Sequence, residues 1–187
     1  MNRLRVIAGS LKGRRLKTPF WDGLRPTSDK LRETLFNILA PRIGGARVLD
    51  GYAGTGAVGI EALSRGAAAV TFVEQDRRAQ ALIADNLTRC GITDGYAIIR
   101  ADVLRALGEL RARDAVFDLV LLDPPYAGDD RQIAAVFSQS GAILAPDGLM
   151  VLEHARRRPT PASVGRLVQT RVVAAGDSAL ALYACQP

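Results

Sequence analysis

Asp123-Pro124-Pro125-Tyr126 follows directly on the apolar run Phe117-Asp118-Leu119-Val120-Leu121-Leu122. This places a carboxylate, a rigid turn and an aromatic ring at the end of a strand expected to be buried. In an open α/β sheet, ligands lie at the carboxyl ends of strands. The two prolines carry no backbone N–H and fix φ, which leaves their carbonyls outside regular structure. Such a set can grip a planar amino group. Asp123 and the Pro124 carbonyl would accept its protons, Pro125 would stiffen the turn, and Tyr126 would stack on the attached ring. Asp-Pro is also ordinary turn chemistry, and it is the position after a buried strand that favours the functional reading.

A second constellation lies upstream. After a strand ending at Asp50 comes Gly51-Tyr52-Ala53-Gly54-Thr55-Gly56-Ala57-Val58-Gly59, and Glu74 ends the next strand some twenty residues on. Gly54, Gly56 and Gly59 have the spacing of a nucleotide-binding loop, with an acid placed for ribose hydroxyls. Asp50, at the very end of the first strand, sits poorly beside a pyrophosphate. It suits a ligand carrying an ammonium and a sulfonium, as S-adenosylmethionine does. The expected donor site is therefore Asp50, Ala53, Gly54, Thr55 and Gly56, with Glu74 and Gln75 at the ribose. Asp102 and Val103 are expected at the adenine, and Asp123 at the reacting end.

The elements that must hold these residues read as alternating strands and helices, the signature of a mostly parallel sheet. Strands are expected at 47–50, 70–74, 97–101, 118–123 and 149–153, with helices near 57–65, 77–90, 103–112 and 130–139 between them. Runs 167–174 and 179–185, joined at Gly176-Asp177-Ser178, predict an antiparallel hairpin at one sheet edge. Ahead of this unit, Leu4–Ala8 and Arg14–Lys17 flank a Gly/Ser turn and predict a small β-hairpin. Thr27 or Ser28 can then cap a helix carrying Leu31, Leu35, Phe36, Ile38 and Leu39 on one face. The expected division is an extension over 1–45 and a catalytic domain over 46–187.

Composition narrows the classes. A chain of 187 residues, 48% hydrophobic and 24% charged, fits an ordinary globular protein. No apolar run approaches the ~20 residues that span a bilayer, and Met1-Asn2-Arg3-Leu4-Arg5 lacks a signal-peptide core. A cytoplasmic protein is expected. Cys90 and Cys185 read as buried thiols of a reducing compartment. With His154 the single histidine, no histidine-based metal site or triad is expected, and His154 itself reads as structural or exposed. Residues 1–47 hold eleven basic and three acidic residues, a net +8, while the remainder of the chain nets −2. That asymmetry suits a polyanion partner, although charge alone suits a solvated face equally well.

Several blocks carry a closer resemblance. Residues 5–16, Arg-Val-Ile-Ala-Gly-Ser-Leu-Lys-Gly-Arg-Arg-Leu, and residues 25–39, Arg-Pro-Thr-Ser-Asp-Lys-Leu-Arg-Glu-Thr-Leu-Phe-Asn-Ile-Leu, closely resemble the RsmD family. Ala53-Gly54-Thr55-Gly56, residues 61–67 (Glu-Ala-Leu-Ser-Arg-Gly-Ala) and residues 176–180 (Gly-Asp-Ser-Ala-Leu) continue the match across nearly the whole chain. Gly51-Tyr52 departs from it, standing where a bulky apolar pair is expected. The resemblance implies a Rossmann-like class I S-adenosylmethionine-dependent methyltransferase fold, with a seven-stranded sheet. It also implies methylation of a guanine 2-amino group of bacterial 16S rRNA, at guanine 966, in an assembling or assembled 30S subunit. Arg3, Arg5, Lys12, Arg14, Arg15, Lys17 and Arg25 would grip the RNA backbone. Asp123, Pro124, Pro125 and Tyr126 would serve the target base, no metal or membrane would be involved, and the protein would act as a monomer.

Four other readings use the same residues. An adenine 6-amino methyltransferase of DNA or a protein-glutamine methyltransferase has a similar Asp/Asn-Pro-Pro-Tyr segment, but no large DNA-recognition domain is present. A non-catalytic RNA-binding assembly factor would have no need of both the glycine loop and Asp123. A nicotinamide dehydrogenase is disfavoured by Asp50 and by the chain length.

Overall fold

The computed structural model describes residues 4–21, 24, 27–125 and 130–186. Its elements, in chain order, are α1 (Asp29–Leu39), β1 (Arg47–Asp50), α2 (Ala57–Ser64), β2 (Ala69–Val73), α3 (Arg77–Cys90), β3 (Tyr96–Ile99) and α4 (Val103–Ala112). There follow β4 (Phe117–Leu122), α5 (Asp130–Ile143), β5 (Leu144–Ala155), β6 (Ser163–Val164), β7 (Leu167–Ala175) and β8 (Ser178–Cys185). The strands form one sheet in the order β3-β2-β1-β4-β5-β8-β7-β6. The first five run parallel, and β8, β7 and β6 add antiparallel to them.

The sheet has eight strands where seven were expected. The extra one, β6, is only two residues long and pairs Ser163 with Val168 and Val164 with Leu167. A two-residue strand carries no periodicity for a sequence to display. Strand β5 likewise starts five residues early, because Leu144 pairs with Phe117 before a register shift restores Leu119↔Leu149.

Successive residues of the central strands point to opposite faces, and the two apolar clusters follow that alternation. Val48, Leu119, Leu121, Val151 and Leu182 face α1, α2 and α3. Leu49, Val120, Leu122, Leu152 and Tyr183 face α4 and α5. Burial on both faces explains why β1 and β4 read as nearly continuous apolar runs.

The N-terminal segment folds back on itself as anticipated, but pairs across by few bonds. Arg5↔Arg15 is its one bridge, flanked by Val6 N–H to the Arg14 carbonyl and Leu16 N–H to the Leu4 carbonyl, each 2.9 Å. Other N–H groups of the segment go to α2 instead. Glu61, wholly buried, accepts from Ile7 N–H at 2.7 Å and Ala8 N–H at 2.9 Å. Ser64 Oγ donates to the Ala8 carbonyl at 2.6 Å and accepts from Leu11 N–H at 3.0 Å. Gly9 permits this approach: its φ is +83°, and a Cβ there would lie 1.9 Å from the Ser64 carbonyl oxygen. Leu4, Val6 and Leu16 then enter the same apolar cluster as β1 and α2.

Candidate active site

A cleft of about 1250 Å³ opens at the carboxyl ends of the parallel strands. Each chain segment that reaches it does so for a local reason. Gly56, in the left-handed region at φ +76°, starts α2 and turns the loop after β1. Asp76 caps α3 by accepting from Arg78 N–H, and Asp102 caps α4 by accepting from Arg105 N–H at 3.1 Å. Ser28, one of the two anticipated caps, receives Leu31 N–H at 3.2 Å.

The expected donor-site residues Asp50, Ala53, Gly54, Thr55, Glu74, Gln75, Asp102, Val103 and Asp123 all line this cleft. Gly56 stands behind it as the α2 cap rather than in its wall, and a Cβ there would meet Ile83 at 3.3 Å. Glu74 does more than face a ligand: Oε2 accepts from Gly54 N–H at 2.9 Å and Oε1 from Asp76 N–H at 2.8 Å. A carboxylate oxygen has lone pairs to spare for a hydroxyl, so these bonds fix Glu74 without exhausting it. Asp50 is buried and accepts from Gly59 N–H at 3.0 Å. Burial pushes its carboxyl up to about 7, and the nearby Glu74 adds to that rise, against the Gly59 bond.

Of the four-residue segment, Asp123, Pro124 and Pro125 border the cleft, while Tyr126 lies outside the described residues. Burial, with Glu153 (its hydrogen-bond partner) and Asp50 beside it, pushes Asp123 up to about 8. Glu153 was not anticipated, although it ends the expected strand 149–153 beside the strand that leads to Asp123. Its Oε1 accepts from Ser178 Oγ at 3.2 Å. Glu153, Pro124 and Pro125 also border an adjoining, largely apolar cavity of about 320 Å³. His154 lines that cavity, buried and structural in its contacts: Nδ1 lies 3.0 Å from the Ala155 carbonyl and 3.1 Å from that of Arg158. Of the two cysteines, Cys90 is buried as expected but Cys185 only half so, and both are free.

Two further features belong to the tertiary structure. Trp21 and Leu24 line the cleft beside Thr27 and Ser28. Arg78 lies 5.0 Å from the centre of the Trp21 ring, steadied by Asp76 at 2.8 Å. The Gly51-Tyr52 departure also finds its reason. A Cβ on Gly51 would lie 2.6 Å from Leu122 Cδ2, so the Leu122 side chain takes the space that a larger residue would use. Tyr52 packs against the α4 and α5 cluster.

On the hairpin, Arg5, Lys12, Arg14, Arg15 and Lys17 are all exposed above the buried Leu4, Val6 and Leu16. Arg5 pairs with Asp29 at 3.9 Å and Lys17 with Asp85. Lys12, Arg14 and Arg15 make no ion pair among the described residues. Arg3 and Arg25 lie outside those residues. No described helix is long and apolar enough to cross a membrane, and the described residues hold no metal-binding cluster.

A glycine loop ringed by acidic side chains suits a ligand that carries an ammonium, a sulfonium, ribose hydroxyls and an amino group. The fold and cleft are those of a Rossmann-like S-adenosylmethionine-dependent methyltransferase. The chain belongs to the RsmD family, whose model, "Conserved hypothetical protein 95", matches residues 4–184. It is 39% identical over 180 residues to YlbH of Bacillus subtilis, covering 96% of this chain and 98% of that one. It is 35% identical over 181 residues to ribosomal RNA small subunit methyltransferase D of Escherichia coli, covering 97% and 89%. The solved structure of yhhF from Escherichia coli superposes with a TM-score of 0.83 at 33% identity, covering 99% of this chain and 100% of the other.

Proposed function

We propose that this protein methylates the exocyclic 2-amino group of a guanine in the 16S rRNA of the small ribosomal subunit, at the position numbered 966. The observation that carries the reading is Asp123 with the Pro124 carbonyl at the end of β4, in the same cleft as the glycine loop and Asp50. The substrate is an assembling or assembled 30S particle, met by a monomer in the cytoplasm. The small-subunit methyltransferase named among the relatives supports the substrate class.

Bound in the cleft, S-adenosylmethionine supplies a methyl group on a sulfonium that keeps the electron pair of the broken bond. The residues supply placement, which contributes several kcal/mol through orientation alone. Asp50 would face the ammonium, Glu74 the ribose and Asp102 the adenine. Asp123 and the Pro124 carbonyl hold the hydrogens of the attacking amine, turning its lone pair out of conjugation with the ring. As the N–C bond forms, Asp123 takes the proton that the nitrogen loses and passes it to solvent. A base in structured RNA must swing out to reach this pocket, with Pro125 shaping the turn and Tyr126 stacking on it. Lys12, Arg14 and Arg15, with Arg3, Arg5, Lys17 and Arg25, neutralise phosphates, which gives affinity without sequence information.

The test is transfer of labelled methyl to 30S particles, naked 16S rRNA and DNA from cells lacking the gene, followed by nucleoside analysis. 2-Methylguanosine in particles or rRNA supports the reading, whereas label in DNA moves it to adenine chemistry. Asp123→Ala should cut turnover by about a thousandfold or more while donor binding persists. Loss of donor binding in that variant would overturn the assignment of Asp123.

A further inference from the structure

Asp123 and Glu153 follow immediately on the registered pair Leu122↔Leu152 of the adjacent parallel strands β4 and β5. Neighbouring strands lie about 4.8 Å apart, so the two carboxyls emerge side by side. Leu122 and Leu152 face α4 and α5, and by the alternation of strand side chains Asp123 and Glu153 face the opposite way. They are hydrogen-bonded to each other, and Ser178 Oγ holds Glu153 from β8 at 3.2 Å. Three strand ends thus fix two adjacent acceptors at the reacting end of the cleft. An amino group needs only one of them.

Guanine presents two neighbouring donors on one edge, N1–H and the 2-amino group. Adenine and 2-aminopurine each carry an amino group, but their N1 is an acceptor. Resting on the guanine 2-amino reading above, we infer that Glu153 is the base-selecting residue, accepting N1–H while Asp123 accepts from the 2-amino group. A hydrogen bond between two carboxyls requires a proton between them. The two guanine donors replace that proton, which leaves to solvent when the base binds. A base whose N1 is a lone pair instead faces a carboxylate, acceptor against acceptor. Sites built to hydrogen-bond an N–H discriminate strongly against analogues that lack it.

The test uses small subunits reconstituted with 16S rRNA carrying guanine or 2-aminopurine at the methylated position. The wild-type protein should prefer guanine by about a hundredfold or more in kcat/KM. Glu153→Gln should narrow that ratio at least about tenfold, with 2-aminopurine improving in absolute terms, because an amide nitrogen can donate to N1. Glu153→Ala, which has no donor, should narrow the ratio through loss on guanine alone. A purely structural role for Glu153 would lower both substrates together. Guanine methylated by all three proteins with an unchanged ratio overturns the role of Glu153 and leaves the proposed function standing. A wild-type protein that leaves the 2-amino group unmodified overturns the reading beneath it.

Discussion

The side-chain amide of Asn86 donates to the Thr55 carbonyl at 3.0 Å, from α3 into the centre of the glycine loop. The same amide nitrogen lies 3.2 Å from the Lys17 carbonyl, and its Oδ1 accepts from Lys17 N–H at 2.7 Å. One fully buried residue therefore ties the basic hairpin to the glycine loop.

Asn86→Ala removes three hydrogen bonds and leaves the Lys17 N–H and Thr55 carbonyl without that partner. At about 1 kcal/mol each, with a further penalty for groups left unpaired, the loss should reach about 3 kcal/mol by denaturant unfolding. Affinity for S-adenosylhomocysteine, read by calorimetry, should fall as well. Stability loss without any change in affinity would show that the loop holds its shape without α3.

Gly9→Ala should undock the hairpin, since the new Cβ meets the Ser64 carbonyl oxygen at 1.9 Å and the backbone stands at φ +83°. The expected result is rapid proteolysis within residues 4–17 and loss of rRNA binding. The sheet should remain folded by circular dichroism. A protease-resistant variant would mean that the backbone can relax around the added methyl.

Asp123 and Asp50 rise from an ordinary 3.8 to about 8 and about 7 in the folded protein. Between those limits the folded state holds protons that the unfolded state has released. Their contribution to stability is thus fullest at low pH and is lost as pH rises through 7 and 8. Urea midpoints of the ligand-free protein should fall as pH rises from about 4 to about 8 and level off above that, and Asp123→Asn should flatten that fall. Parallel slopes for the two proteins would argue against a protonated Asp123.

Under the proposed function, Asp50 would have to ionise to meet the donor's ammonium. Donor affinity should climb as pH rises towards about 7 and level off above it, with a proton released on binding. Calorimetry in buffers of differing ionisation enthalpy reads that proton directly. Asp50→Asn should abolish the pH dependence along with much of the affinity.

Replacing Lys12, Arg14 and Arg15 with Gln should weaken rRNA binding and lower the slope of log affinity against log salt by about 0.7 to 0.9 for each phosphate left unneutralised. Donor affinity should not move, because these side chains stand on the hairpin surface. An unchanged salt slope would place the RNA on another face.

The parallel sheet, the glycine loop and the placement of Asp50, Glu74, Asp102 and Asp123 near strand ends are legible in the order of residues. Those features are local: an apolar run, a glycine spacing and a capping residue act within a few positions of one another. Helices α3 and α4 fall on their expected bounds because Asp76 and Asp102 cap them where the apolar pattern begins. Tertiary structure alone decided the partners of those residues. Glu61 and Ser64 read as ordinary positions of a short helix until the hairpin donates its N–H groups to them. Asn86 carries no signal, since a polar residue on a helix is normally solvated. Glu153 became a neighbour of Asp123 only through the β4–β5 register, a pairing across thirty positions of chain that neither strand encodes alone.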